Sequence, residues 1–141
     1  MHLIRLVYAS KAREGFTLAD MDSILGASSI YNDVHGITGV LCYNDAYFLQ
    51  CIEGSRIEVN KLYNRIATDN RHKQPAILDY AEVTERTFSE WTMGFIPPQS
   101  VSGDIIQRYS GQRAFLPFSM NGESCYRLLV DLAKMGVTRK S

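Results

Sequence analysis

The chain has 141 residues, with 15 Lys and Arg against 15 Asp and Glu, 45% hydrophobic and 11% aromatic side chains. That is the size of one domain able to bury a core, and the zero formal charge argues against a nucleic-acid binder, which carries a basic excess. No apolar run reaches the roughly 18–20 residues of a membrane span, and no basic stretch followed by a long apolar one opens the chain, so a cytoplasmic protein is expected.

Residues 3–9, apolar except for Arg5, predict a first strand with Ile4, Leu6 and Tyr8 on one face. Thr17 is a candidate N-cap with Asp20 three residues on. Leu18, Met21, Ile24, Leu25 and Ser28 fall close to helical spacing, predicting a helix from Thr17 to about Tyr31 that Asn32, Asp33 and Gly36 break. Residues 37–43 and 46–53 read as two strands joined by a turn at Asn44-Asp45. Ser55 and Glu58 match a capping box ahead of a second helix that ends near Asp69-Asn70. Residues 76–84 predict a fourth strand and residues 92–96 a fifth, stopped by Pro97-Pro98. Residues 103–109 and 123–135 predict two amphipathic helices separated by Gly111, Pro117 and Gly122.

This order is a ferredoxin-like βαββαβ plan, an α+β fold with an additional strand and two C-terminal helices. A boundary at residues 97–102 divides a core, residues 1–96, from a helical extension, residues 97–141, within one compact unit. The two core helices cover one sheet face; the C-terminal pair is placed to cover the other or to meet a partner. The plan hosts many activities and leaves function open.

Catalytic signatures are missing. There is no Gly-rich phosphate loop and no GxSxG elbow. Cys42, Cys51 and Cys125, with no CxxC spacing, predict reduced thiols and no metal site. Acylphosphatase shares the plan, but Ala9-Ser10-Lys11-Ala12-Arg13 does not supply its Gly-rich anion loop, which makes an acylphosphatase-like hydrolase a weak alternative. Gln50 is out of place inside Phe48-Leu49-Gln50-Cys51-Ile52, a strand that reads as buried. A buried amide has two donors and two lone pairs to satisfy. It is either a structural glutamine bonded to backbone or to Tyr8, the reading residue type alone favours, or a group engaging a polar ligand. A buried Tyr8 phenol likewise needs a partner. Asn32 reads as a helix stop, Arg65 with Asp69 as an exposed pair one turn apart, and Trp91 with Met93 as alternating core residues of the last strand.

Taken together these residues resemble the BLUF family, flavin-based sensors of blue light. The resemblance is carried by Leu6-Val7-Tyr8-Ala9-Ser10, by Asn32-Asp33-Val34-His35-Gly36-Ile37-Thr38-Gly39, by Phe48-Leu49-Gln50-Cys51-Ile52-Glu53-Gly54, by Ile66 through His72, and by Phe88-Ser89-Glu90-Trp91-Thr92-Met93. It covers about residues 3–96, and the tail is similar to the helical cap of short members. It implies a non-covalent flavin between the two core helices, FAD ahead of FMN or riboflavin. It further implies Tyr8 as photochemical electron and proton donor, and Gln50 as the amide bridging Tyr8 to the flavin. Asn32 is implied at the pyrimidine edge, Ile24 and Ile66 on the ring faces, and Arg65, Asp69 and His72 at the ribityl and phosphate end. Trp91 and Met93 are implied in passing the signal on. Tyr31 departs from the Asn or His that relatives often carry. No substrate is expected to be turned over. The implied partners are a second copy of the chain, as a homo-oligomer, and a separate effector such as a cyclic-nucleotide phosphodiesterase or a response-regulator-like protein. A ferredoxin-like small-ligand regulator without light sensing is the other alternative.

Overall fold

The computed structural model describes residues 2–44 and 46–137. Strand β1 (Leu3–Ala12) leads to helix α1 (Leu18–His35), strands β2 (Thr38–Asn44) and β3 (Tyr47–Ser55), helix α2 (Arg56–Ala67) and strand β4 (His72–Glu82). A short strand β5 (Gly94–Ile96) and helices α3 (Gly103–Tyr109) and α4 (Gly122–Met135) follow. The sheet order is β4-β1-β3-β2-β5. All pairings are antiparallel except β2 with β5, which is parallel. This is the expected α+β plan with its additional strand.

Because β1 and β3 are central and covered on both faces, their sequences are nearly continuous in apolar residues. Ile4, Leu6, Tyr8 and Ile52 pack toward α1 and α2 with Val59 and Leu62. Val7, Ala9, Leu49 and Cys51 pack on the opposite face with Cys125, Leu128, Leu129 and Leu132 of α4. The C-terminal helices therefore cover the second sheet face. At the head of α4, a Cβ on Gly122 would stand 1.9 Å from the Leu78 carbonyl oxygen, so only glycine lets the helix approach β4 this closely. The three cysteines are free and buried.

Several boundaries differ from the sequence expectation. Helix α1 does not break at Asn32 and Asp33 but runs to His35 and stops at Gly36, which takes the left-handed conformation, φ 67°. Asn32 is tolerated inside the helix because its amide does not compete for its own backbone; Nδ2 donates to the Thr92 carbonyl at 2.7 Å. At the other end Thr17 and Asp20 form the complete capping box. For α2, Ser55 Oγ accepts from the Glu58 N–H at 3.3 Å, while the Glu58 carboxylate lies 3.9 Å from both His35 Nε2 and Lys61 Nζ. The helix ends at Ala67, short of Asp69-Asn70. Strand β4 begins at His72 because pairing with central β1 overrides the weak strand propensity of Lys73, Gln74 and Pro75. The hairpin runs directly from Asn44 to Tyr47 as its last pair; Asp45 of the expected turn lies outside the described residues. Strand β5 holds three residues, not five.

Candidate functional site

A cavity of about 170 Å³ lies between the sheet and the pair α1, α2. Its lining includes Tyr8, Ile24, Gln50, Arg65, Ile66, Asp69 and His72, seven of the eight residues expected to act photochemically or to hold the flavin. Tyr8 and Gln50 form its polar floor. They are paired directly across β1 and β3, and the Tyr8 hydroxyl donates to Gln50 Oε1 at 2.5 Å. The Gln50 amide is completed by Nε2, which donates to Met93 Sδ at 3.5 Å. Both residues are buried, at 4% exposure. Burial pushes the Tyr8 phenol well above its usual value, and the nearby Tyr63 and Asp69 add to the shift. Tyr63 also meets Tyr8 edge-to-face at 5.6 Å between ring centroids.

Asn32, the eighth, is not among the residues that line the cavity, whereas its chain neighbour Tyr31 is. Tyr31 is sandwiched, with His35 stacked at 4.0 Å and the Arg65 guanidinium 4.4 Å from its centroid. Asn32 is fully buried, and while its Nδ2 is bonded to Thr92, its Oδ1 has no partner. An acceptor left in that state costs about 1–3 kcal/mol. A flavin fits this donor set: its pyrimidine edge carries an N–H for Asn32 Oδ1, and its faces need the apolar side chains of Ile24 and Ile66.

At the other end, Asp69 does not pair with Arg65 as helical spacing suggests. It follows the helix, where the chain turns, and binds Arg71 through Nε at 3.0 Å and Nη2 at 2.6 Å. That contact holds the Asp69 carboxyl below the usual carboxylate range. Arg71 also lines the cavity and was missed by sequence reasoning; the signal was the Asp69-Asn70-Arg71 turn. His72 Nδ1 lies 2.7 Å from Ser10 Oγ and Nε2 2.6 Å from the Ile66 carbonyl oxygen. The two contacts tie β1 to the end of α2 through the ring.

Trp91 and Met93 do not alternate on a strand, because the ladder begins only at Gly94. On a strand they would share one face; here they part. Met93 is buried with Leu41, Phe48 and Met21 beside Gln50. Trp91 packs with the cluster under α4, its ring against Gly94 and stacked on Phe88 at 6.3 Å. Among the described residues there is no cluster of His, Cys, Asp and Glu able to hold a metal ion, and no helix is long and apolar enough to cross a membrane.

Comparison with known proteins gives concordant matches. The family model for sensors of blue-light using FAD matches residues 3–94. The photoactivated adenylate cyclase subunit beta of Euglena gracilis is 29% identical over 125 residues, covering 82% of this chain but 15% of that protein. The chain thus spans a small fraction of the length of the curated relatives it matches. Among solved structures, the photo-activated state of BlsA superposes with a TM-score of 0.89 at 29% identity, covering 97% of this chain and 99% of that one. Klebsiella pneumoniae BlrP1 with FMN and cyclic diGMP superposes at 0.67 and 27% identity, over 72% of this chain and 27% of that one.

Proposed function

The chain belongs to the BLUF family of flavin-based blue-light sensors, and we propose that within it Tyr8 and Gln50 form the photochemical pair. The observation that carries this reading is the 2.5 Å hydrogen bond from the Tyr8 hydroxyl to Gln50 Oε1 on the cavity floor. A bound flavin supplies blue-light absorption and an electron-accepting ring. Ile24 and Ile66 would flank it, Asn32 would accept from its pyrimidine edge, and Arg65, Asp69 and His72, joined by Arg71, would meet its ribityl and phosphate end. FAD is proposed ahead of FMN or riboflavin.

Tyr8 acts as electron and proton donor. Its buried phenol is neutral, so loss of an electron makes the hydroxyl proton strongly acidic, and the hydrogen bond aims that proton at Gln50. Gln50 accepts with one end of its amide and donates with the other. Exchange of those ends turns the Tyr8 bond round, the amide now donating to the phenol oxygen, and breaks the bond to Met93, whose sulfur only accepts. When electron and proton return, Tyr8 is again a phenol and the rearranged Gln50 is what persists. Met93 then loses its amide donor.

The output is proposed to run through residues 91–96 to the helical extension, residues 97–141, within one unit with the sensing core, residues 1–96. It would reach a separate effector, a cyclic-nucleotide phosphodiesterase or a response-regulator-like protein, from a cytoplasmic homo-oligomer. Two of the similar proteins support the class of effector: one is a cyclase by name, and BlrP1 was solved with cyclic diGMP. The protein should purify yellow and release flavin on denaturation. Colourless protein that takes up neither FAD, FMN nor riboflavin would contradict the reading.

A further inference from the structure

Glu53 is fully buried on β3, three residues beyond Gln50 and on the other sheet face. Its carboxylate accepts from the backbone N–H of Thr87 at 2.7 Å and of Phe88 at 2.8 Å. Its carbonyl accepts from Arg86 Nη1 at 3.1 Å, and Arg86 also donates to Gly36 and Thr38. A carboxylate removed from water is held by such charge-assisted bonds, so residues 86–88 are anchored to the sheet. Thr87 in turn places its Oγ1 2.6 Å from the Tyr126 hydroxyl. The Tyr126 ring lies 3.7 Å from the Arg5 guanidinium, which bonds Asp79 at 2.9 Å and approaches Glu123 at 3.6 Å. With Gly122 against Leu78, the first turns of α4 are tied at several points. Further along, Asp131 bonds Arg108 and Tyr109 of α3, and just past the last turn the contacts are apolar, with Gly94 facing the Trp91 ring and Val137.

We propose that Glu53, Thr87 and Tyr126 are positioning residues that form a pivot for α4, fixing its first turns so that a shift of the Trp91–Met93 segment moves its far end. The inference rests on the proposed function, since a rearranged Gln50 is what displaces Met93. With residues 86–88 pinned on one side and β5 on the other, the displacement is confined to the residues between, and Trp91 carries it to the end of α4.

The test is amide hydrogen exchange along α4 in the dark and under blue light, on the full chain with flavin bound. In the unaltered protein the light-induced change should concentrate in residues 132–137 and be small in residues 122–127. Thr87→Val and Tyr126→Phe remove an exposed hydroxyl contact, so the fold should survive. In both, the light-induced change in residues 122–127 should grow about two- to threefold, the range of coupling carried by such contacts, with the flavin spectral shift unaltered. Thr87→Ser keeps the hydroxyl and should behave as the unaltered protein; Glu53→Gln should act in the direction of Thr87→Val. Uniform change along α4 in the unaltered protein, or Thr87→Val and Thr87→Ser behaving alike, would overturn the pivot while a normal spectral shift leaves the proposed function standing. A protein with no spectral shift at all would overturn both.

Discussion

Tyr8 and Gln50 are direct cross-strand neighbours, and the register of β1 with β3 that pairs them also pairs Leu6 with Ile52 and Ser10 with Phe48. A slip of one residue would send Gln50 to the face under α4 and leave its amide unpaired among apolar side chains. The pair is thus built by the sheet itself. The 2.5 Å bond is a consequence of that register.

Burial raises the Tyr8 phenol well above its ordinary 10.0. Above pH 10 the unfolded chain loses this proton while the folded protein keeps it, so the stability this group contributes is present below pH 10 and is lost as pH rises beyond it. Tyrosinate absorbance of the folded protein up to about pH 11 should be the same in Tyr8→Phe as in the unaltered chain, since Tyr8 does not ionise there. A smaller amplitude in the variant would contradict the shift.

Gln74 is held at φ 57° immediately before Pro75, at an irregularity in the β1–β4 pairing. A side chain in the left-handed region carries a steric penalty that glycine lacks, partly offset by the greater freedom of glycine in the unfolded chain. Gln74→Gly should therefore stabilise the protein by about 0.5–1 kcal/mol in urea unfolding. A lower midpoint for the glycine variant would mean that this side chain earns its strained conformation.

Asn32 Oδ1 is buried without a partner. If it accepts a hydrogen bond from the flavin edge, Asn32→Ala should weaken flavin binding about tenfold in a fluorescence titration, the value of one such bond. Undiminished affinity would place the flavin edge elsewhere.

The readable parts of the chain were those governed by local pattern. Alternation placed Gln50 with Phe48 and Ile52 on the face shared with Tyr8 because β3 is regular and central, and that holds. The end of α1 was misread because Asn32 finds its partner sixty residues away, at Thr92, a contact no local window contains. Asp69 was assigned to Arg65 by helical spacing, but the helix ends at Ala67 and the turn hands the carboxylate to Arg71. Trp91 and Met93 were placed by a period that applies only where a ladder exists, and the ladder starts after them. Glu53 is an acid in an apolar strand that sequence reasoning passed over, because its role depends on backbone amides of a distant loop.

The central claim is that light acts through the Tyr8–Gln50 pair, and blue-light difference absorption on flavin-loaded protein tests it most directly. The unaltered chain should give a reversible red shift with the flavin still oxidised, and Tyr8→Phe and Gln50→Leu, each with flavin bound, should give none. A full and reversible red shift in both variants would contradict the account.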